Sequence, residues 1–146
     1  MSMIKNFEFK AYLFDAWEKL DEKFLTNYEK NKMEWYDYLD LSVTKKNLSD
    51  FNKNTVFIRG FIPESLNNID IVGDIDWLHI DMNSAHATIS SLSYFFNYIN
   101  SGGVILFDDY GWKYRHETKD EIDLFFKDKS GILLPLPTGQ AIYLKI

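Results

Sequence analysis

Four aspartates stand where short apolar runs end: Asp15 after Tyr12-Leu13-Phe14, Asp81 after His79-Ile80, and the pair Asp108-Asp109 after Val104-Ile105-Leu106-Phe107. Carboxylates gathered in one place repel one another unless a cation or hydrogen-bond donors offset their charge. An all-oxygen donor set suits a hard divalent ion such as Mg²⁺. A metal at Asp81, Asp108 and Asp109 is therefore the chemistry this pattern points to. Such an ion can hold a substrate hydroxyl, lower its pKa and aim its oxygen at an electrophile. Asp15 better suits a ribose, because an acidic side chain at a strand end can accept hydrogen bonds from the sugar hydroxyls. The plain alternative is that each aspartate only ends its strand or caps a helix. Cysteine is absent, which excludes thiolate metal sites, disulfides and cysteine nucleophiles.

For these carboxylates to meet, the apolar runs must be neighbouring strands whose carboxyl ends share one edge, the place where open α/β sheets bind ligands. Lys10 to Asp15 reads as one such strand, Thr55 to Phe61 as another stopped by Gly60 and Pro63, and Asp76 to Asp81 as a third. Between the first two, Glu18 to Tyr38 is charged and aromatic without a clean period and reads as a loop with helical pieces. Ser42 is the predicted N-cap of a helix with Leu41, Leu48 and Phe51 on one side. Ala85, Ile89, Leu92, Phe96 and Ile99 step as one face of a helix, with Asn100-Ser101-Gly102-Gly103 as its predicted end.

Val104 to Phe107 is then a buried strand running into Asp108-Asp109, and a helix is predicted from about Glu117 to Lys127 with Ile122, Phe125 and Phe126 as its apolar contacts. Ile132 to Leu136 and Ala141 to Ile146 are two strands around the turn Pro137-Thr138-Gly139-Gln140. The expectation is an α/β fold with a mostly parallel, Rossmann-like sheet, helices on both faces and an antiparallel C-terminal strand pair.

A chain of 146 residues suits a single domain, read here as 1–146. Its 46% hydrophobic and 17% aromatic content is too apolar for a disordered protein. A formal charge of -6 argues against a nucleic-acid partner, since that affinity comes from Lys and Arg displacing counterions, and favours a small neutral or cationic ligand. The first residues lack the apolar core of a signal peptide and no run approaches a membrane span, so a soluble, cytoplasmic protein without membrane attachment is expected.

Other side chains carry weaker signals. An unperturbed imidazole titrates near neutrality, which makes His86 a candidate general base, but in the first turn of a helix it reads first as a surface residue. His79, inside an apolar strand, reads as a hydrogen-bonded core residue, and His116 as a solvent-exposed residue at a helix start. Tyr110, Trp112 and Trp17 could flank a cofactor or sugar ring, or simply pack.

At this point the residues resemble the macrocin O-methyltransferase-like group of class I S-adenosylmethionine-dependent methyltransferases. The resemblance rests on the segments 12–18, 58–66, His79-Ile80-Asp81-Met82-Asn83, 101–112 and Leu136-Pro137-Thr138-Gly139-Gln140. It implies transfer of a methyl group from S-adenosylmethionine to a hydroxyl of a small acceptor, often a sugar or natural product, assisted by Mg²⁺. Carried over by position, Asp15 would bind the cofactor ribose, Gly60 and Phe61 would lie near the adenine, and Asp81, Asp108 and Asp109 would hold the metal, with Asp81 also touching the cofactor. Related catechol-type enzymes place a lysine base three residues after the first metal aspartate. Here that position is Ser84, so Asp81 or His86 would take the proton.

The family's first strand, its glycine-rich turn and the following helix would precede Ala11-Tyr12, where only Met1 to Lys10 stand. That strand is central in the family's sheet, so its loss would leave a gap or force its two neighbours to pair, and an open edge would favour homo-oligomers. A second expectation, from a different class, is a non-catalytic binding or assembly module derived from a methyltransferase. A metal-dependent hydrolase is a weaker third, since no nucleophile or phosphate-cradling loop is in view.

Overall fold

The computed structural model describes residues 9–18, 39–69, 74–113 and 116–146. They form two compact units, 1–65 and 66–146. The predicted loop over 19–38 lies outside the described residues.

The first unit holds strand β1 (Ala11–Asp15), helix α1 (Leu41–Asn47) and strand β2 (Thr55–Arg59). β1 and β2 pair in parallel from Ala11↔Thr55 to Asp15↔Arg59, so both strands end at the same edge. β2 stops two residues short of the expected Phe61, because Gly60 takes φ 145° and turns the chain away. The N-cap of α1 is Asp40, not Ser42. The Asp40 carboxylate accepts from the Ser42 amide at 2.6 Å, and with a full negative charge it is the stronger acceptor for an orphan helix N–H.

The second unit holds β3 (Ile75–Ile80), α2 (Ala85–Phe95), β4 (Ile99–Phe107), α3 (His116–Phe126), β5 (Gly131–Pro135) and β6 (Ala141–Lys145). Its sheet has the order β3-β4-β6-β5. β3 and β4 run parallel, while β6 lies antiparallel to both β4 and β5. Among the described residues, no helix is long and apolar enough to cross a membrane.

The period-2 alternation of β4 buries Gly103, Ile105 and Phe107 on one face. There Ile80 of β3, Ile105 and Phe107 of β4, and Ala141 and Tyr143 of β6 meet Leu92 of α2 and Ile122 and Phe126 of α3 in one core. The Phe126 and Tyr143 rings stack at 3.8 Å between centroids. α2 turns Thr88, Ser91, Leu92 and Phe95 inward, with Ile89 and Phe96 packing beside them. The buried stripe thus lies partly to one side of the one read from apolar spacing.

Gly102 and Gly103 do not end α2, which passes into a 3-10 turn, Phe96–Tyr98, before β4 begins at Ile99. They sit where the β3–β4 register slips between Ile75↔Ile99 and Trp77↔Val104. A β-carbon on Gly103 would meet Ile99 Cγ2 at 2.7 Å and the Asn100 and Ile75 carbonyl oxygens at 2.9 and 3.1 Å. Gly103→Ala is therefore expected to cost about 1–3 kcal/mol, as overpacking does. The urea midpoint reads this, and an unchanged midpoint would mean that the ladder opens there without strain.

Candidate metal centre

The last register pair of the parallel β3–β4 ladder is Ile80↔Phe107, and the Asp108 amide extends the ladder by donating to the Ile80 carbonyl at 3.0 Å. Asp81 and Asp108 therefore leave neighbouring strands side by side, with Asp109 following. One carboxylate oxygen from each of Asp81, Asp108 and Asp109 lies within 4.8 Å of the others. The residues predicted to share a cation are thus brought together.

The three carboxylates differ in surroundings: Asp81 is exposed, whereas Asp108 and Asp109 are half-buried. Asp109 lines a crevice with Ile80, Met82, Thr88, Phe107, Tyr110, Thr118 and Ile122 that has no room for a water molecule. Its Oδ2 is buried without a hydrogen-bond partner. Burial, and then the charges of Asp81 and Asp108, push its pKa up to about 6. A carboxylate oxygen that is buried, unpartnered and beside two more carboxylates is costly to keep charged unless a proton or a nearby positive charge offsets it. The all-oxygen set suits Mg²⁺ or Mn²⁺ in hardness.

The turn that carries Asp108 and Asp109 is held from outside the sheet ends. Gln140 Nε2 donates to Asp108 Oδ1 at 2.7 Å, and the Thr138 hydroxyl donates to Gln140 Oε1 at 2.9 Å. The Gly111 amide donates to the Gly139 carbonyl at 2.6 Å, an approach close enough that a β-carbon on Gly111 would meet Gly139 Cα at 3.2 Å. Tyr110 is buried, and its hydroxyl donates to Asp123 Oδ1 of α3 at 2.5 Å while Lys119 pairs with the other oxygen of that carboxylate. Burial and the Asp123 carboxylate hold the Tyr110 phenol above its ordinary range.

No role for Gln140 or Asp123 is read from the sequence. Gln140 enters it only within the Pro137-Thr138-Gly139-Gln140 turn and the segment 136–140 that carries the resemblance, and neither predicts a contact.

The remaining candidates divide. Ser84 is the N-cap of α2, its hydroxyl oxygen accepting from the Ala87 amide at 3.4 Å. His86 is exposed on the first turn of α2, and His116 is exposed at the start of α3. His79 corrects its expectation: it is exposed rather than in the core, because β3 turns it to the face opposite Ile80. Its Nε2 stands 3.8 Å from Asp108 Oδ1, too long for a hydrogen bond. Trp112 is 57% exposed beside Gly139. Trp17 is buried inside the first unit, its indole N–H donating to the Thr44 hydroxyl at 3.0 Å, and so packs rather than presenting a ring.

Asp15 ends β1 in the first unit. Its Oδ1 accepts from the Trp17 amide at 2.6 Å and its carbonyl from the Gly60 amide at 3.0 Å, so Asp15, Gly60 and Phe61 adjoin at one strand edge. A β-carbon on Gly60 would meet the Ser65 β-carbon at 3.1 Å, and its positive φ independently favours glycine.

Several solved structures share this fold. The O-methyltransferase NovP superposes with a TM-score of 0.77 at 14% identity, over 97% of this chain and 62% of that one. CalS11, a TDP-rhamnose 3'-O-methyltransferase of calicheamicin biosynthesis, gives 0.57 at 16% identity, over 92% of this chain and 57% of that one. The O-methyltransferase from Bacillus cereus in complex with S-adenosylhomocysteine gives 0.56 at 13% identity, over 93% and 63%. The chain thus spans less than two thirds of the length of each. No curated protein matches in sequence. A family model described as a methyltransferase domain matches residues 2–110, running through both units and ending just beyond the aspartate pair. The chain belongs to that methyltransferase domain family.

Proposed function

We infer that the chain serves S-adenosylmethionine-dependent O-methyl transfer to a small hydroxyl acceptor, such as a sugar or other natural product, with a divalent cation at Asp81, Asp108 and Asp109. The observation that carries the reading is the convergence of three carboxylates within 4.8 Å around a buried, unpartnered Asp109 oxygen, in a chain of this family. When bound, the cation would lower the pKa of an acceptor hydroxyl and fix its oxygen.

The chain's own residues supply the rest. Asp15 would accept from the cofactor ribose, with Gly60 and Phe61 beside the adenine. The crevice behind Asp109 leaves no room for water against that one carboxylate, which strengthens its electrostatic contacts. When bound, S-adenosylmethionine would supply the methyl group from its sulfonium to the acceptor oxygen, with S-adenosylhomocysteine as the leaving product. The hydroxyl proton passes to a base, for which Asp81 and His86 are the candidates, because Ser84 is a helix cap and carries no base.

Calorimetric titration with S-adenosylhomocysteine, with and without Mg²⁺, tests the reading. Saturable binding in either condition supports it. Its absence in both would leave a non-catalytic binding module as the function.

A further inference from the structure

We propose that Gln140, 32 residues along the chain from Asp108, is the positioning residue that sets the affinity of the carboxylate cluster for its cation. The inference rests on the metal reading above and deepens it. Three carboxylates within 4.8 Å push one another apart when no cation lies between them. Asp109 lines a crevice with no room for a water molecule, which leaves its carboxylate little space to move into on that side. The Asp108 side chain, at 34% exposure, has solvent to turn into.

What keeps it inward is the amide of Gln140, whose Nε2 donates to Oδ1 at 2.7 Å. That amide is oriented in turn by the Thr138 hydroxyl, which donates to Oε1. The O and N ends of the amide are thus assigned by their partners: Asp108 can only accept, and Oε1 receives the hydroxyl proton. The chain of contacts is anchored in backbone. The Leu136 amide donates to the Gln140 carbonyl at 2.8 Å and the Gly139 amide to the Leu136 carbonyl at 3.1 Å. The β5–β6 hairpin then pairs Pro135 with Ala141 directly beneath that turn.

Two effects of the Gln140 amide oppose each other. By donating to Asp108 it withdraws a little charge from a ligand, which weakens cation binding. By holding Asp108 against repulsion it preorganises the set, which strengthens it. The second dominates, because an unheld, partly solvated carboxylate must be returned from water before it can bind. Groups that orient metal ligands are generally worth about 10- to 100-fold in affinity.

The test uses the whole chain and Mn²⁺ as the probe, with free ion counted by electron paramagnetic resonance. Gln140→Ala and the volume-conserving Gln140→Met should each bind Mn²⁺ about 10-fold or more weakly than the unaltered chain, with metal-free thermal midpoints little changed. Thr138→Val should give a smaller loss in the same direction. Equal or tighter Mn²⁺ binding by Gln140→Met overturns the proposal while leaving the metal reading intact. Lowered metal-free midpoints with unaltered affinity also overturn it, by showing a purely structural contact. If the unaltered chain and Asp108→Asn both fail to bind Mn²⁺, the metal reading falls and this proposal falls with it.

Discussion

Replacing Asp109 by asparagine is expected to move two measurements in opposite directions. Without metal at pH 7 to 8 the variant should be more stable than the parent, and with excess Mg²⁺ it should lose the stabilisation that the parent gains. The cause is the folded-state pKa of Asp109, raised from 3.8 to about 6 by burial and by Asp81 and Asp108. Between those values the folded chain holds a proton that the unfolded chain has released. Stability therefore falls as pH rises through that window, and the full cost is present above about pH 6.

Asparagine removes the charge, and its amide can donate to the neighbouring carboxylates. Discounted for the partial hydration of the site, the gain is on the order of 1 kcal/mol, or roughly 2–4 °C in midpoint for a chain of this size. The same substitution removes one of the three proposed ligands, so Mg²⁺ affinity should drop by more than the roughly 10- to 100-fold expected for an outer-shell change. Thermal melts from pH 4 to 8, with and without Mg²⁺, check both halves. A metal-free variant less stable than the parent at pH 8 would show that Asp109 has a native partner for its charge.

The second large effect is expected at Phe107, which is 1% exposed and lies edge-on to Phe126 with ring centroids 5.9 Å apart. Phe107→Ala should cost about 3–5 kcal/mol through lost transfer energy and the cavity left behind. That is a large share of the 5–15 kcal/mol typical of a whole domain. Phe107 directly precedes Asp108-Asp109, so the loss should also loosen the strand that delivers them, and Mn²⁺ affinity should fall together with the urea midpoint. Leu124→Ala, on the exposed side of the neighbouring helix at 64% exposure, is the control and should change stability by less than about 0.5 kcal/mol. Equal effects of the two substitutions would mean that the core is not centred on β4.

Much of the second unit was legible from local pattern. Val104 to Phe107 is too short for a helix and wholly apolar, which leaves a buried strand, and the next two residues are then necessarily at its carboxyl end. Gly139 before Gln140 marks a turn because its φ of 90° is open to glycine. Residue type leaves the cap of α1 undecided, because Asp40 and Ser42 are both competent caps. The choice depends on which oxygen reaches an orphan amide, a matter of ångströms that residue type does not encode. Gly102 and Gly103 carry the same ambiguity: glycine marks a helix end and a strand irregularity equally well, and only the register of the neighbouring strand separates them.

His79 shows where local pattern ends. Alternation along β3 places His79 and Ile80 on opposite faces, but it says nothing about which face the helices cover. α2 and α3 both pack on the Ile80 side, so the histidine is left outside.

The succession of strands along the chain, the aspartates at their ends and the absence of cysteine follow from the residues alone, since each depends on neighbours within a few positions. The meeting of Asp81 with Asp108 and Asp109, the burial that strips Asp109 of water, and the reach of Gln140 to Asp108 belong to the tertiary structure. They join residues far apart in sequence, and hydrogen bonds and desolvation act through distance in space, which only the assembled sheet determines.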